Sequence, residues 1–193
     1  MTSRSAPAVA AWRHADARDG FEVAFLHSDG RRFRAEGATS AVEDGDAWVV
    51  RYDIDLAPDG ATRSARVVGR SVAGGRELCL ETDGAGRWRI NGARAPELDG
   101  CLDVDLESSA LTNAFPVRRL RLDVGRHAEA PAAYVRALDL RVERLEQHYT
   151  RLDDDGDRSR YAYSAPAFRF ACELLYDECG LVLDYPGIGT RVA

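Results

Sequence analysis

A chain of 193 residues with 45% hydrophobic and 30% charged residues has the size and balance of one globular domain. Its net charge of −6 weighs against a nucleic-acid partner, because phosphate-backbone binding is driven by positive charge. No apolar run approaches the roughly 18 residues of a helical membrane span, so no membrane span is expected.

Residues 1–18, alanine-rich and interrupted at Trp12, Arg13 and His14, read as a frayed lead-in, too short in apolar residues for a secretory leader. A cytoplasmic location is expected, with a single β domain filling 19–193. From there the pairs Asp19-Gly20, Asp29-Gly30, Asp44-Gly45, Asp59-Gly60, Asp83-Gly84, Asn91-Gly92, Asp99-Gly100 and Asp155-Gly156 recur. Such pairs tolerate positive φ and close tight hairpins. Between them the pattern has period two: Trp48, Val50, Tyr52, Ile54 and Leu56 alternate with Val49, Arg51, Asp53 and Asp55. Leu78 and Leu80, then Trp88 and Ile90, repeat it.

Ser108 to Leu120 predicts a short helix that two serines cap and Pro116 ends or kinks. Leu120, Leu122 and Val124 predict a further strand. Residues 132–149 fit both periods, and strand is favoured over helix. Asp153 to Asp157 reads as a hairpin loop rather than a calcium loop, and Phe168, Phe170, Cys172, Leu174 and Tyr176 close the series. About a dozen strands at this spacing predict an all-β domain. An antiparallel sheet that large leaves sticky edges unless it curls into a half-barrel or barrel, or pairs across a dimer.

In the strand Gly100 to Glu107, Asp103, Asp105 and Glu107 share one face and Leu102, Val104 and Leu106 the other. The acids fit a solvated outer face or, alternatively, a concavity where they accept hydrogen bonds from sugar hydroxyls. Thr112, Asn113, Pro116, Arg118 and Arg119 form a polar turn-like stretch, and Arg119 and Arg121 are expected on one strand face, paired with Asp103 and Asp105. Cys79, Cys101, Cys172 and Cys179 lack a C-x-x-C, and the histidines are scattered. No metal, cofactor or catalytic residue is therefore assigned.

Several of these segments resemble the putative glycolipid-binding family of bacteria. They are Trp88-Arg-Ile-Asn-Gly, Leu98-Asp-Gly-Cys-Leu-Asp-Val-Asp-Leu106, Leu111-Thr-Asn-Ala-Phe-Pro-Val-Arg-Arg-Leu120, Gln147-His-Tyr-Thr150, Tyr161-Ala-Tyr163 and Gly180-Leu-Val-Leu-Asp-Tyr-Pro-Gly187. The resemblance implies a large antiparallel sheet curled around a single helix, distantly similar to bacterial lipoprotein-carrier proteins, and assembled as a homodimer. It also implies an acidic pocket suited to a sugar head group, with Asp103 and Asp105 as its acids. The sequence departs from the family pattern at Ser109-Ala-Leu, which bears on local geometry.

The expected function is binding of a glycolipid or other amphiphilic small molecule, with acyl chains on the apolar concave face. The ligand-binding set is Asp103, Asp105, Thr112, Asn113, Arg118, Arg119, Trp88, Gln147, Tyr149 and Tyr163. An enzyme acting on a glycoconjugate through Asp103 or Asp105, and a structural dimer filled by its own side chains, are the alternatives.

Overall fold

The computed structural model describes residues 7–29 and 32–193, so Gly30 of the Asp29-Gly30 pair lies outside the described residues. The N-terminal half is a meander: β1 (Val9–His14), β2 (Asp19–Ser28), β3 (Phe33–Glu43), β4 (Asp46–Leu56), β5 (Thr62–Ser71), β6 (Gly74–Thr82), β7 (Trp88–Ile90) and β8 (Ala93–Ala95). Then come β9 (Asp103–Leu106), the helix α1 (Ala114–Leu120), β10 (His127–Glu129), β11 (Ala132–Val135), β12 (Val142–Leu145) and β13 (His148–Arg151). The chain ends with β14 (Ser159–Ala165), β15 (Phe170–Tyr176), β16 (Val182–Tyr185) and β17 (Gly189–Arg191).

Fourteen strands form one sheet in the order β10-β13-β14-β15-β16-β17-β1-β2-β3-β4-β5-β6-β7-β8, and β12-β11-β9 form a three-stranded sheet. The large sheet is antiparallel throughout and is not closed, since its end strands β10 and β8 do not pair with each other. The two chain ends meet at its centre, where β1 pairs with β17 in register Trp12↔Arg191.

Period two dictates the packing of β4, whose Trp48, Val50, Tyr52, Ile54 and Leu56 are buried while Arg51 is exposed. Asp44-Gly45 and Asn91-Gly92 both take positive φ at both residues, the twist that a two-residue hairpin needs. Residues 132–149 hold no helix: they form β11, a turn over 136–141, β12 and the start of β13. No helix among the described residues is long and apolar enough to cross a membrane.

Four local expectations are corrected. Residues 9–14 are not frayed: they form β1, paired on both sides, with Trp12 fully buried and its indole N–H donating to Val182 O at 2.8 Å. Asp19-Gly20 opens β2 rather than making a turn, because it pairs with Val42 and Ala41. The serines do not cap α1: Ser109 Oγ donates to Glu22 instead, and a 3-10 turn over Leu111–Asn113 leads into the helix. Leu120, Leu122 and Val124 are not a strand, because the helix runs through Leu120 and ends at Arg121 in the left-handed conformation. Pro116 sits in the first turn, where its missing N–H costs no helical bond.

Candidate functional site

The small sheet carries the acids. β9 pairs in parallel with β11, Asp103 opposite Ala132 and Asp105 opposite Tyr134, and every residue of β9 is buried. That excludes the solvated outer face, and the two aspartates are held differently. Asp103 is bridged by Arg119, Nε at 3.2 Å and Nη2 at 2.5 Å. Burial pushes its carboxyl up, and the guanidinium works against that shift. The expected Arg119–Asp103 pair therefore exists, but Arg119 reaches it from α1 rather than across a sheet. Arg121, at the helix end, donates to Arg118 O and does not join.

Among the described residues Asp105 has only neutral hydrogen-bond partners: it accepts from Thr112 Oγ1 at 2.7 Å and Gln147 Nε2 at 2.6 Å. Its carboxyl is pushed up to about 6 because burial outweighs those two hydrogen bonds. Gln147 also donates to Tyr163 Oη at 3.0 Å. Asn113 Nδ2 donates to Tyr149 Oη, while Tyr176 Oη donates to Asn113 O, both at 3.1 Å. The 3-10 turn ahead of α1 thus delivers Thr112 and Asn113 into one polar network with Asp105, Gln147, Tyr149 and Tyr163.

This network borders a cavity of about 200 Å³ between the small sheet and the C-terminal strands, with Asp105, Glu107, Asn113 and Arg18 among its lining. Its apolar wall is aromatic: Tyr134, Tyr163, Phe168, Phe170 and Tyr185. These rings touch one another, Tyr163 to Tyr185 at 5.9 Å and Tyr134 to Phe168 at 5.3 Å between centroids. Glu107 is already engaged by Arg136 Nη1 at 3.1 Å and Ala137 N–H at 2.8 Å.

Asp105, Asn113 and Tyr163 line the cavity; Thr112, Gln147 and Tyr149 buttress those that do. Four other expected residues are placed elsewhere. Trp88 is fully buried in the N-terminal core with its N–H on Cys101 O at 2.8 Å. Arg118 stacks over Phe33 at 4.6 Å and donates to Cys179 O. Asp103 and Arg119 satisfy each other outside the cavity lining.

Sequence reasoning missed Arg18, Tyr134, Phe168, Phe170 and Tyr185 in the lining, which are scattered along the chain. It also missed Glu22, fully buried on β2, which accepts from Tyr52 Oη, Ser109 Oγ and Ala110 N–H and so fixes the turn before α1. Burial pushes the Glu22 carboxyl up. The signal lay in Gly37: Tyr52 lies across it so closely that a Cβ there would sit 2.3 Å from the Tyr52 hydroxyl.

An open antiparallel sheet folded over a small second sheet defines a barrel-like β protein, with a cavity at their junction lined by a carboxylate and an aromatic wall. Residues 9–191 match the family described as putative glycolipid-binding, and the chain belongs to that family. It is similar to a solved DUF1089 family protein from Pseudomonas aeruginosa at 36% identity, covering 90% of this chain and 92% of that one, with a TM-score of 0.79. A beta-barrel-like protein of the domain of unknown function DUF1849 from Brucella abortus shares the fold at a TM-score of 0.50 and 10% identity. That match covers 96% of this chain and 94% of the other. No curated protein matches the chain.

Proposed function

We propose that the cavity binds the hydroxylated head group of an amphiphile and leaves it chemically unchanged. The observation that carries this reading is the buried Asp105 carboxyl facing an aromatic wall in one cavity. Sugar hydroxyls donate to a carboxylate, and the apolar faces of a sugar ring pack on aromatic rings. A volume of about 200 Å³ is below the roughly 300–1,000 Å³ of a drug-sized pocket. It therefore suits a head group rather than a whole lipid, with the acyl chain leaving past half-exposed Phe168. The acyl chains are not assigned to the concave face at large, because Trp12, Ile54, Leu80, Leu98 and Phe115 fill it.

The test is titration with octyl β-D-glucoside below its micelle concentration, followed by calorimetry. Asp105→Asn should weaken binding roughly tenfold or more, the value of a hydrogen bond to a charged group; unchanged affinity would overturn the assignment. One observation favours a second reading, catalysis on a glycoconjugate: a carboxyl raised to about 6 is suited to general-acid work. Against it, glycoside hydrolysis calls on two carboxyls, and Asp103 and Glu107 are both engaged by arginine. Recovery of intact octyl glucoside after long incubation supports binding, and released glucose supports catalysis. The homodimer belongs to the same proposal, with exposed Phe21 and Phe25 of β2 as its apolar surface, and sedimentation of Phe25→Glu against the wild type tests it.

A further inference from the structure

The acids Asp103, Asp105 and Glu107 are not compensated alike. Asp103 has the Arg119 guanidinium at 2.5 Å and Glu107 has that of Arg136 at 3.1 Å, whereas Asp105 between them has no ion-pair partner among the described residues. Burial is the main reason its carboxyl is pushed up to about 6, and the charges of Asp103 and Glu107 act in the same direction. At pH 7 it is still mostly ionised, a buried carboxylate without a counter-ion. Thr112 donates to one of its oxygens and Gln147 to the other, and a carboxylate oxygen has room for about two such bonds.

The aromatic wall divides in the same way. The guanidinium that holds Glu107 also lies over Tyr134 and Phe168, 5.2 and 5.1 Å from the ring centroids. Acid and rings share one cation there. Tyr163, Phe170 and Tyr185 pack on one another at 5.9 to 6.2 Å and have no cation over them among the described residues. Burial pushes the hydroxyls of Tyr163 and Tyr185 up, so both stay protonated and supply no charge. Arg18, the cation of the described lining, is engaged elsewhere: its Nη1 donates to Glu107 O at 2.7 Å and its Nε faces Glu43 at 3.6 Å. A carboxylate and a set of rings, each attractive to a cation and neither supplied with one, thus line a single cavity.

We infer that the head group taken by this cavity carries a protonated amine beside its hydroxyls, as an amino sugar does, and that the ammonium is the counter-ion of Asp105. The inference rests on the reading that the cavity binds a hydroxylated amphiphile, and narrows that ligand to a basic one. A primary ammonium donates to the positions that Thr112 and Gln147 leave open, and the sugar ring that carries it packs on the aromatic wall. A neutral head group leaves the buried charge uncompensated. An anionic one adds to the charges of Asp105 and Glu107.

The test is calorimetric titration at pH 7 with four probes: octyl β-D-glucoside, octyl 2-amino-2-deoxy-β-D-glucoside, the N-acetylated form of the latter, and octylamine. The amino glycoside should bind roughly tenfold or more tightly than the glucoside, and acetylation, which removes the charge, should abolish that preference. Octylamine, with charge and chain but no ring, should bind at least roughly tenfold more weakly than the amino glycoside. Asp105→Asn should erase the preference, while Asp123→Asn, which removes the same charge from an exposed position outside the cavity lining, should keep it.

The wild type alone gives an independent readout. At pH 6 the Asp105 carboxyl is about half protonated, and an arriving ammonium favours the ionised form. Binding of the amino glycoside should therefore release up to roughly half a proton, read from the dependence of the heat on the buffer, and the acetylated form should release less. Equal affinity for glucoside and amino glycoside, a preference that survives Asp105→Asn, or amino-glycoside binding without proton release overturns the inference. Binding of the glucoside spares the cavity reading in each case. Octylamine binding as tightly as the amino glycoside overturns the amino sugar in favour of a bare amine. No binding of any glycoside overturns both.

Discussion

The two halves of the large sheet are packed with different chemistry. The core under β1 to β8 contains all three tryptophans with Ile54, Leu80, Leu98, Leu106 and Phe115, and it is filled. The core under β13 to β17 contains six of the chain's seven tyrosines, and it borders the cavity. An aliphatic side chain can be closed off by any apolar neighbour. A buried tyrosine hydroxyl needs a partner, so the tyrosine half must also hold Asn113, Gln147 and, through them, Asp105. The polar groups that satisfy the fold there are the ones that can address a ligand.

The largest effect expected from this contrast lies in the filled half. Phe115→Ala should cost about 3–5 kcal/mol in urea denaturation, because nothing can collapse into a fully buried site. The folded fraction should still bind octyl glucoside as the wild type does. Next comes Asp103→Asn, which leaves Arg119 without its carboxylate and should cost roughly 3 kcal/mol. Its affinity for octyl glucoside should be unchanged, which separates it from its strand neighbour Asp105.

Asp105→Asn should show itself in the pH dependence of stability. Its folded carboxyl sits at about 6 against an ordinary 3.8, so the native state holds its proton longer than the unfolded chain does. Stability from this group is fully present below about pH 4 and is lost as pH rises through 6. The stability of Asp105→Asn minus that of the wild type should therefore climb by about 2–3 kcal/mol between pH 4 and 6 and then level off. His14 works the other way: lowered from 6.5 to about 4, it gives stability above pH 6.5 that is lost as pH falls towards 4. His14→Phe should tilt the difference curve in the opposite sense over nearly the same window. Parallel curves for the two variants would break the account of either group.

Much of the fold was legible because β4, β14 and the second half of β6 alternate and Asp44-Gly45, Asp59-Gly60, Asp83-Gly84 and Asp155-Gly156 mark turns beside them, whereas the β5–β6 turn at Val72-Ala73 carries no such pair. β2 was misleading, since Phe21 and Phe25 face outward and Glu22 faces in, the reverse of what hydrophobicity predicts. That inversion is a tertiary fact: Tyr52 from β4 and Ser109 and Ala110 from beyond β9 make an inward glutamate tolerable. Asp105, Asn113 and Tyr163 could be named because they sit in contiguous motifs. Arg18 and Ile188 could not, because the β1–β17 pairing brings the two ends of the chain together and local spacing carries no trace of it.

The smallest effect tests the edge of the tyrosine half. Phe168 is 39% exposed on the 3-10 turn after β14, its ring against Tyr134 and beneath the Arg136 guanidinium at 5.1 Å. The ring is only partly withdrawn from water, so Phe168→Ala should lower stability by about 1–2 kcal/mol, less than the fully buried sites. If the acyl chain leaves the cavity over this ring, octyl glucoside should lose affinity a few-fold while methyl glucoside, which has no chain, loses none. Equal losses for both would place the ring against the sugar and move the exit elsewhere.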